Sequence, residues 1–478
     1  VAKRINSIYG SAGISYKNKL FIDFTGRNDW SSALTLPENL KPFGTEDNSY
    51  FYSSVAVSAI MSDIIKMPEV ISFFKLRASF AQVGNDTDPF AFTQTYNRSE
   101  PFGAFQIYSE TNSLANLNLK PEISSAYEFG TDLRFFNNRL GIDATYYQSR
   151  TKNQILNIPL SNTSGYDTRK INAGLIKNYG VEVVLNATAI KKRDFSWDAF
   201  INFSSNRSKV LELSDGLTNY VMASRRVSVE ARVGERMGDL YGIGFARVQN
   251  TNPNAPYYDA SGQYTGQMVF GSNGRPVRTT DRIKLGNYNP DWLMGIGNSI
   301  NYKGVRLSFL FDIRQGGQLY SETQTVGREG GIITETLEGR ADGYDLSKPG
   351  NGVVGQGVVF SNGTSGTISQ NTRKVSAREW HTAWTGGRGI AEGVMYDASF
   401  VKLREVTIGY TIPDKVFGKV PIRGATVSFV GRNLFLWDKV PHIDPETMSY
   451  TGGTALPGIE FMSLPSTRSY GINLSFKL

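Results

Sequence analysis

Residues 467–478 read TRSYGINLSFKL, and the alternation in this short run decides the fold. Tyr470, Ile472, Leu474, Phe476 and Leu478 fall on one side of an extended strand, while Ser469, Gly471, Asn473, Ser475 and Lys477 fall on the other. Strand side chains project alternately to the two faces, so one face is apolar and the other small or polar. A soluble sandwich would turn the apolar face to a core. A membrane barrel would turn it to lipid and give the polar face to a wet lumen. One strand does not separate the two.

Neighbouring segments repeat the pattern. Phe74, Leu76, Ala78 and Phe80 oppose Lys75, Arg77 and Ser79, and Val305, Leu307, Phe309, Phe311 and Ile313 oppose Arg306, Ser308, Asp312 and Arg314. The connections alternate too. Tight turns are expected at Lys17-Asn18, Asn137-Asn138, Lys191 to Asp194 and Lys303-Gly304, where Asn, Asp and Gly suit hairpin geometry. Between them lie long polar stretches at about 29–49, 85–121, 151–171, 315–396 and 434–466. A soluble domain rarely carries so many long loops, whereas short turns on one rim and long loops on the other are the plan of an outer-membrane barrel. The expected fold is all-β, a transmembrane antiparallel β-barrel.

Parity sharpens the expectation. If Asp239 to Asn250 crossed the membrane, Leu293 to Tyr302 would run the wrong way before its tight turn. Residues 209–291 are therefore read as one extracellular excursion with β structure of its own. About thirteen spanning strands remain, with the C-terminus periplasmic and Val1 in an extracellular loop. An odd antiparallel set does not close on itself, so residues 1–478 are read as the C-terminal part of a barrel whose other strands lie elsewhere.

Composition excludes other classes. The chain has 478 residues, is 40 % hydrophobic and holds no apolar run near the ~20 residues of a membrane helix. Cysteine is absent, which removes disulfides and thiolate metal sites. The net charge is +8, but Lys and Arg are scattered rather than clustered, so nucleic acid is not an expected partner. The sequence starts at Val1 without a signal segment and reads as a mature product or a fragment.

Several motifs run through the chain: Thr25-Gly26-Arg27-Asn28-Asp29-Trp30-Ser31-Ser32; Asn289-Pro290-Asp291-Trp292 with Tyr302-Lys303-Gly304; and Ser399 to Thr407 with Gly409-Tyr410 and Pro413. Gly431-Arg432-Asn433-Leu434-Phe435, Asp444-Pro445-Glu446 and Pro465 complete the set. Together, and in this order, they resemble the SusC/RagA-type TonB-linked outer-membrane transporters of Bacteroidetes. The chain departs from the family in ending on Leu478 rather than an aromatic. The resemblance implies a barrel of about 22 strands around a plug. It also implies TonB acting through that plug, which lies outside this chain, and a SusD-like surface lipoprotein as lid. The implied activity is import of oligosaccharides or oligopeptides, without a cofactor. Membrane lipid and lipopolysaccharide would surround the wall, and the rest of the transporter would complete it.

Candidate residues emerge from chemistry. Ser376 with Glu379 three residues on predicts a capped helix carrying Trp380 and Trp384 on one face. These rings either pack the loop or line a solute site by stacking. Arg306, Asp312 and Arg314 face the lumen side, as an interior ion network or as solute contacts. Asp444 and Glu446 form the one carboxylate pair considered for glycoside hydrolysis, against which stand their loop position and a family motif with no catalytic role. His381 and His442 lie in no metal-binding spacing, and Gly386 to Gly389 lacks the context of a phosphate loop. No catalytic, metal or cofactor site is expected. A surface adhesion protein without transport is the alternative, and it requires the apolar strand faces to be covered by a second sheet.

Overall fold

The computed structural model describes residues 2–160, 162–214, 216–341, 345–383, 389–418, 424–447, 449–451 and 454–477. Thirteen strands form one antiparallel sheet in which each strand pairs with the next. They are β1 (Ile5–Tyr16), β2 (Leu20–Ser31), β3 (Ser49–Ile60), β4 (Ile71–Asn85), β5 (Glu122–Phe135), β6 (Leu140–Lys152) and β7 (Leu175–Lys191). Then come β8 (Phe195–Glu212), β9 (Trp292–Tyr302), β10 (Val305–Gln315), β11 (Phe400–Ile412), β12 (Gly424–Asp438) and β13 (Ser469–Lys477). The count matches the sequence expectation, and β1 and β13 are the two free edges.

The turns form as their residues dictate. Lys17 and Asn18 have φ of 51° and 53°, and Lys303 and Gly304 have 46° and 86°. Positive φ at both central residues is what a tight hairpin needs to match strand twist. All short connections (17–19, 61–70, 136–139, 192–194, 303–304, 413–423) come after odd-numbered strands, and all long ones come after even-numbered strands. The two kinds of loop therefore leave the sheet at opposite rims.

Register lines the side chains into rows. Trp197, Ile300, Leu307, Ile408, Phe429 and Ile472 are direct cross-strand neighbours from β8 to β13. One residue along, Ser196, Asn301, Arg306, Gly409, Ser428 and Asn473 form a polar row on the other face. Ile408 is 51 % exposed and Ile472 is 74 % exposed, so among the described residues no second sheet covers the apolar row. Among those residues the covering sheet that the adhesion alternative requires is not present.

The buried core sits in the long loops. Within 213–291 a four-stranded sheet, separate from the wall, runs from Asn219 to Asn287. Its Val227, Val229 and Leu240 pack with Tyr320, Ala391 and Val394 of 316–399 and with Ile459 of 439–468. Glu460, fully buried, accepts hydrogen bonds from the Ser321 hydroxyl at 2.8 Å and the Thr323 hydroxyl at 2.6 Å, where α1 (Glu322–Gly330) begins. Three loops distant in sequence thus form one packed mouth. A second cluster joins Leu34, Leu36 and Tyr50 to Phe92 and Leu119.

Candidate functional site

Two bulges determine which side chains reach the inside of the wall near the mouth. The β10–β11 register passes from Leu310↔Glu405 to Phe311↔Leu403, and the β11–β12 register passes from Leu403↔Phe435 to Glu405↔Arg432. Arg404 is thus an extra residue relative to β10, whereas on the other side β12 carries the extra residue, Asn433 and Leu434 together facing Arg404, with Asn433 at φ of 51°. An inserted residue re-aims the side chains next to it. Lys402 and Arg404, and then Glu405, share the inner side, which strict alternation does not allow. Gly431 to Phe435, which reads in sequence as the approach to a loop at 434, is this bulge, and β12 continues to Asp438.

The bulge assembles an ion cluster. Lys402, 2 % exposed, donates to both Asp444 carboxylate oxygens at 2.7 and 2.8 Å and also contacts Glu446. Arg404 donates to Asp312 at 2.8 Å through Nε and 2.5 Å through Nη2, and to Glu446 at 2.8 Å through Nη1. Ser466 donates to Asp444. Burial pushes the Asp444 carboxyl up, but the hydrogen bonds from Lys402 and Ser466 outweigh it and hold it below its ordinary value. Glu446 is likewise raised by burial and lowered more by Arg404 and Lys402. Both carboxylates are therefore ionised and engaged. A glycoside hydrolase needs one of the pair to keep a proton for the leaving group, and neither does. The cluster fastens loop 439–468 to β10 and β11.

The structure places each residue proposed from sequence. Asp312 belongs to this cluster. Arg314 donates to the Tyr288 carbonyl at 2.6 Å and the Gly316 carbonyl at 3.4 Å, tying β10 to the end of 213–291. Arg306 lies apart, donating to Ser299 Oγ at 3.2 Å beside an inner-face cavity of about 850 Å³. Asp132, Arg134, Asp143, Asp198 and Glu405 also line that cavity, and Phe200 enters it across Gly297, where a Cβ would strike the ring. The predicted capping box is present at α2 (Ala377–Thr382), with Glu379 N–H donating to Ser376 Oγ at 3.2 Å and Ser376 N–H donating to Glu379 Oε2 at 3.2 Å. Trp380 stacks on Phe270 at 6.3 Å and 14° and is 8 % exposed, so its ring packs 316–399 against 213–291. Trp384 lies outside the described residues. His381 Nδ1 is 3.3 Å from Arg328 Nη1 and its Nε2 is 3.3 Å from the Glu338 carbonyl. A guanidinium only donates and a carbonyl only accepts, so the ring is neutral with its proton on Nε2. Burial, joined by Arg328, moves its pKa down.

Sequence reasoning missed Lys402, Arg404 and Glu405 as a unit. The signal was available only as the charged residues at 402, 404 and 405, whose spacing breaks the period of two.

Residues 2–235 match the family described as TonB dependent receptor-like, beta-barrel. The chain is 26 % identical to the TonB-dependent receptor P3 of Formosa agariphila over 98 % of its length and 45 % of the relative's. It is 24 % identical to the TonB-dependent receptor SusC of Bacteroides thetaiotaomicron, covering 98 % of this chain and 43 % of the other. The chain thus spans less than half the length of these relatives, which are receptors and not enzymes. In fold it is similar to the RagAB peptide transporter, with TM-score 0.72, 19 % identity, 99 % of this chain and 48 % of that chain. The likeness to the RagAB peptide importer in its closed-closed state has TM-score 0.74, 20 % identity, 99 % of this chain and 47 % of the other. The fold is that of a TonB-dependent outer-membrane barrel, in keeping with the resemblance read from the motifs.

Proposed function

We propose, from the premise that residues 2–235 belong to the TonB dependent receptor-like β-barrel family, that this chain forms wall and mouth of a TonB-dependent outer-membrane importer. The long loops face the cell exterior and the short turns face the periplasm. A SusD-like lipoprotein lids the mouth, and TonB works through a plug outside this chain. The free edges β1 and β13 pair with the remaining strands of the same transporter. The solute is an oligosaccharide or an oligopeptide. Arg306 in the inner cavity and Asp312 and Arg314 near the mouth are the wall groups that meet it, while Trp380 and Trp384 belong to the loop that shapes its entry.

The apolar row from Trp197 to Ile472 carries this reading. Apolar side chains exposed on neighbouring strands, Ile408 at 51 % and Ile472 at 74 %, have hydrocarbon as their natural solvent, and the polar row behind them suits a wet lumen. No covalent chemistry is required of any residue.

The test uses the full-length transporter in its native membrane. Extraction should require detergent, and the folded barrel should migrate differently from the boiled one on a gel. Cells should accumulate labelled oligosaccharide or oligopeptide only while TonB is present. Solubility without detergent would overturn the barrel assignment, and uptake unchanged without TonB would overturn the energised import.

A further inference from the structure

Within loop 316–399 a cavity of about 530 Å³ opens between α1, α2 and the turn around Gly339. Three guanidinium groups line it: Arg328 from the last turn of α1, Arg340, and Arg378 from the first turn of α2. Among the described lining residues the single carboxylate is Glu329. Neutral His381 completes the wall and adds no charge of either sign.

Elsewhere in the mouth, several arginines are matched with acids. Arg226 pairs with Glu322, Arg232 with Glu230, Arg247 with Glu392 and Arg275 with Glu379. Arg340 and Arg378 lack such a pairing. Among the described residues neither has a carboxylate partner, and the Arg340 guanidinium makes a long hydrogen bond, 3.3 Å, to the Gly331 carbonyl. Gly331, at φ +65°, is the left-handed residue that caps α1, and the Arg340 guanidinium lies beside it. A planar guanidinium offers paired donors matched to a two-oxygen acceptor. The cavity is also much larger than a bare inorganic ion needs, with space for a unit of sugar or amino-acid size.

We propose that this cavity is a binding site for an oxyanion carried by the solute, a carboxylate or sulfate on a terminal unit, held by Arg340 and Arg378 with Arg328 behind them. The site rests on the import reading for the origin of its ligand. It makes the importer selective for acidic over neutral solutes of the same size.

The test is calorimetric titration of the full-length transporter in detergent with glucuronate, glucose and N-acetylglycine, with inorganic sulfate as competitor. Glucuronate or N-acetylglycine should bind, sulfate should compete, and glucose should bind at least about tenfold more weakly, as loss of a charge-assisted hydrogen bond dictates. Preference for glucuronate marks an acidic sugar as the source, and preference for N-acetylglycine marks a peptide carboxylate. The R340Q/R378Q double variant should lose at least about tenfold in affinity, with R378K recovering part of the loss relative to R378Q. Equal binding of glucuronate and glucose by the wild type would overturn the proposal even if no variant assembled. So would an unchanged double variant. TonB-dependent uptake of neutral solutes without anion preference would remove this site and leave the import reading intact, whereas absent uptake would remove the latter alone.

Discussion

Leu474 in the wall and Leu240 in the mouth have the same side chain in opposite settings. Leu474 is 58 % exposed on the outer face of β13, and Leu240 is fully buried among Val229, Tyr320 and Ile459. The wall is held by an unbroken ladder of backbone hydrogen bonds, each strand to the next, and its apolar residues wait for a solvent other than water. The mouth has only short ladders of its own and is held largely by side-chain packing and buried ion pairs, as a water-soluble domain is. One chain therefore obeys two stability rules, and damage to one region should not behave like damage to the other.

The largest effect is expected where wall and mouth are fastened together. Lys402→Met leaves Asp444 buried without its cation and should cost about 3–5 kcal/mol of local stability. Protease cleavage within 439–468 should rise sharply while heat-modifiable migration of the barrel persists; loss of the barrel itself would show that the fastening is global. Next, Leu240→Ala should destabilise the mouth by about 2–5 kcal/mol through the cavity it leaves, whereas Leu474→Ala should change stability by about 0.5 kcal/mol or less. Equal losses in a denaturant titration would break the contrast. Ile408→Arg puts a charge in the outer apolar row and should cost up to about 2–4 kcal/mol of membrane assembly. Ser428→Arg on the inner row should be assembled normally, as folded yield would report.

Acid separates the regions more gently. The folded-state pKa values of Asp444 and Glu446 are depressed, so their stabilisation is present above the ordinary carboxylate range and lost as pH falls through the folded values. Hydrogen exchange should show 439–468 loosening at acid pH before the strands do; simultaneous loosening would contradict the cluster's role. The smallest effect belongs to Ser376→Ala, which removes the α2 cap and should cost about 1 kcal/mol, read as a small shift in melting of the mouth.

The wall was almost wholly legible in the sequence, because period-two alternation and turn residues such as Asn18 and Gly304 act locally. Parity set most of 209–291 apart from the spanning strands, and Asn219 to Asn287 do hold a sheet of their own, but β8 stays in the wall as far as Glu212. The fastening was not legible. Arg404 is one residue too many for the pattern, and an insertion of one is invisible until the partner strands fix the register. Lys402 and Asp444 lie far apart in the chain, and nothing local marks them as partners. Trp380 was read correctly as a capped-helix residue, but which surface its ring would cover depended on Phe270, a residue of another loop.

Glu460 and Ile459 carry a consequence in time. The core of the mouth begins with Val227 and Val229, yet it is incomplete until Ile459 packs and Glu460 grips the start of α1. A chain made and delivered from its N-terminal side thus presents most of its wall before its mouth can set. During that interval the apolar residues of the loops have no partner, and the assembling chain depends on whatever escorts it to the membrane to keep them covered.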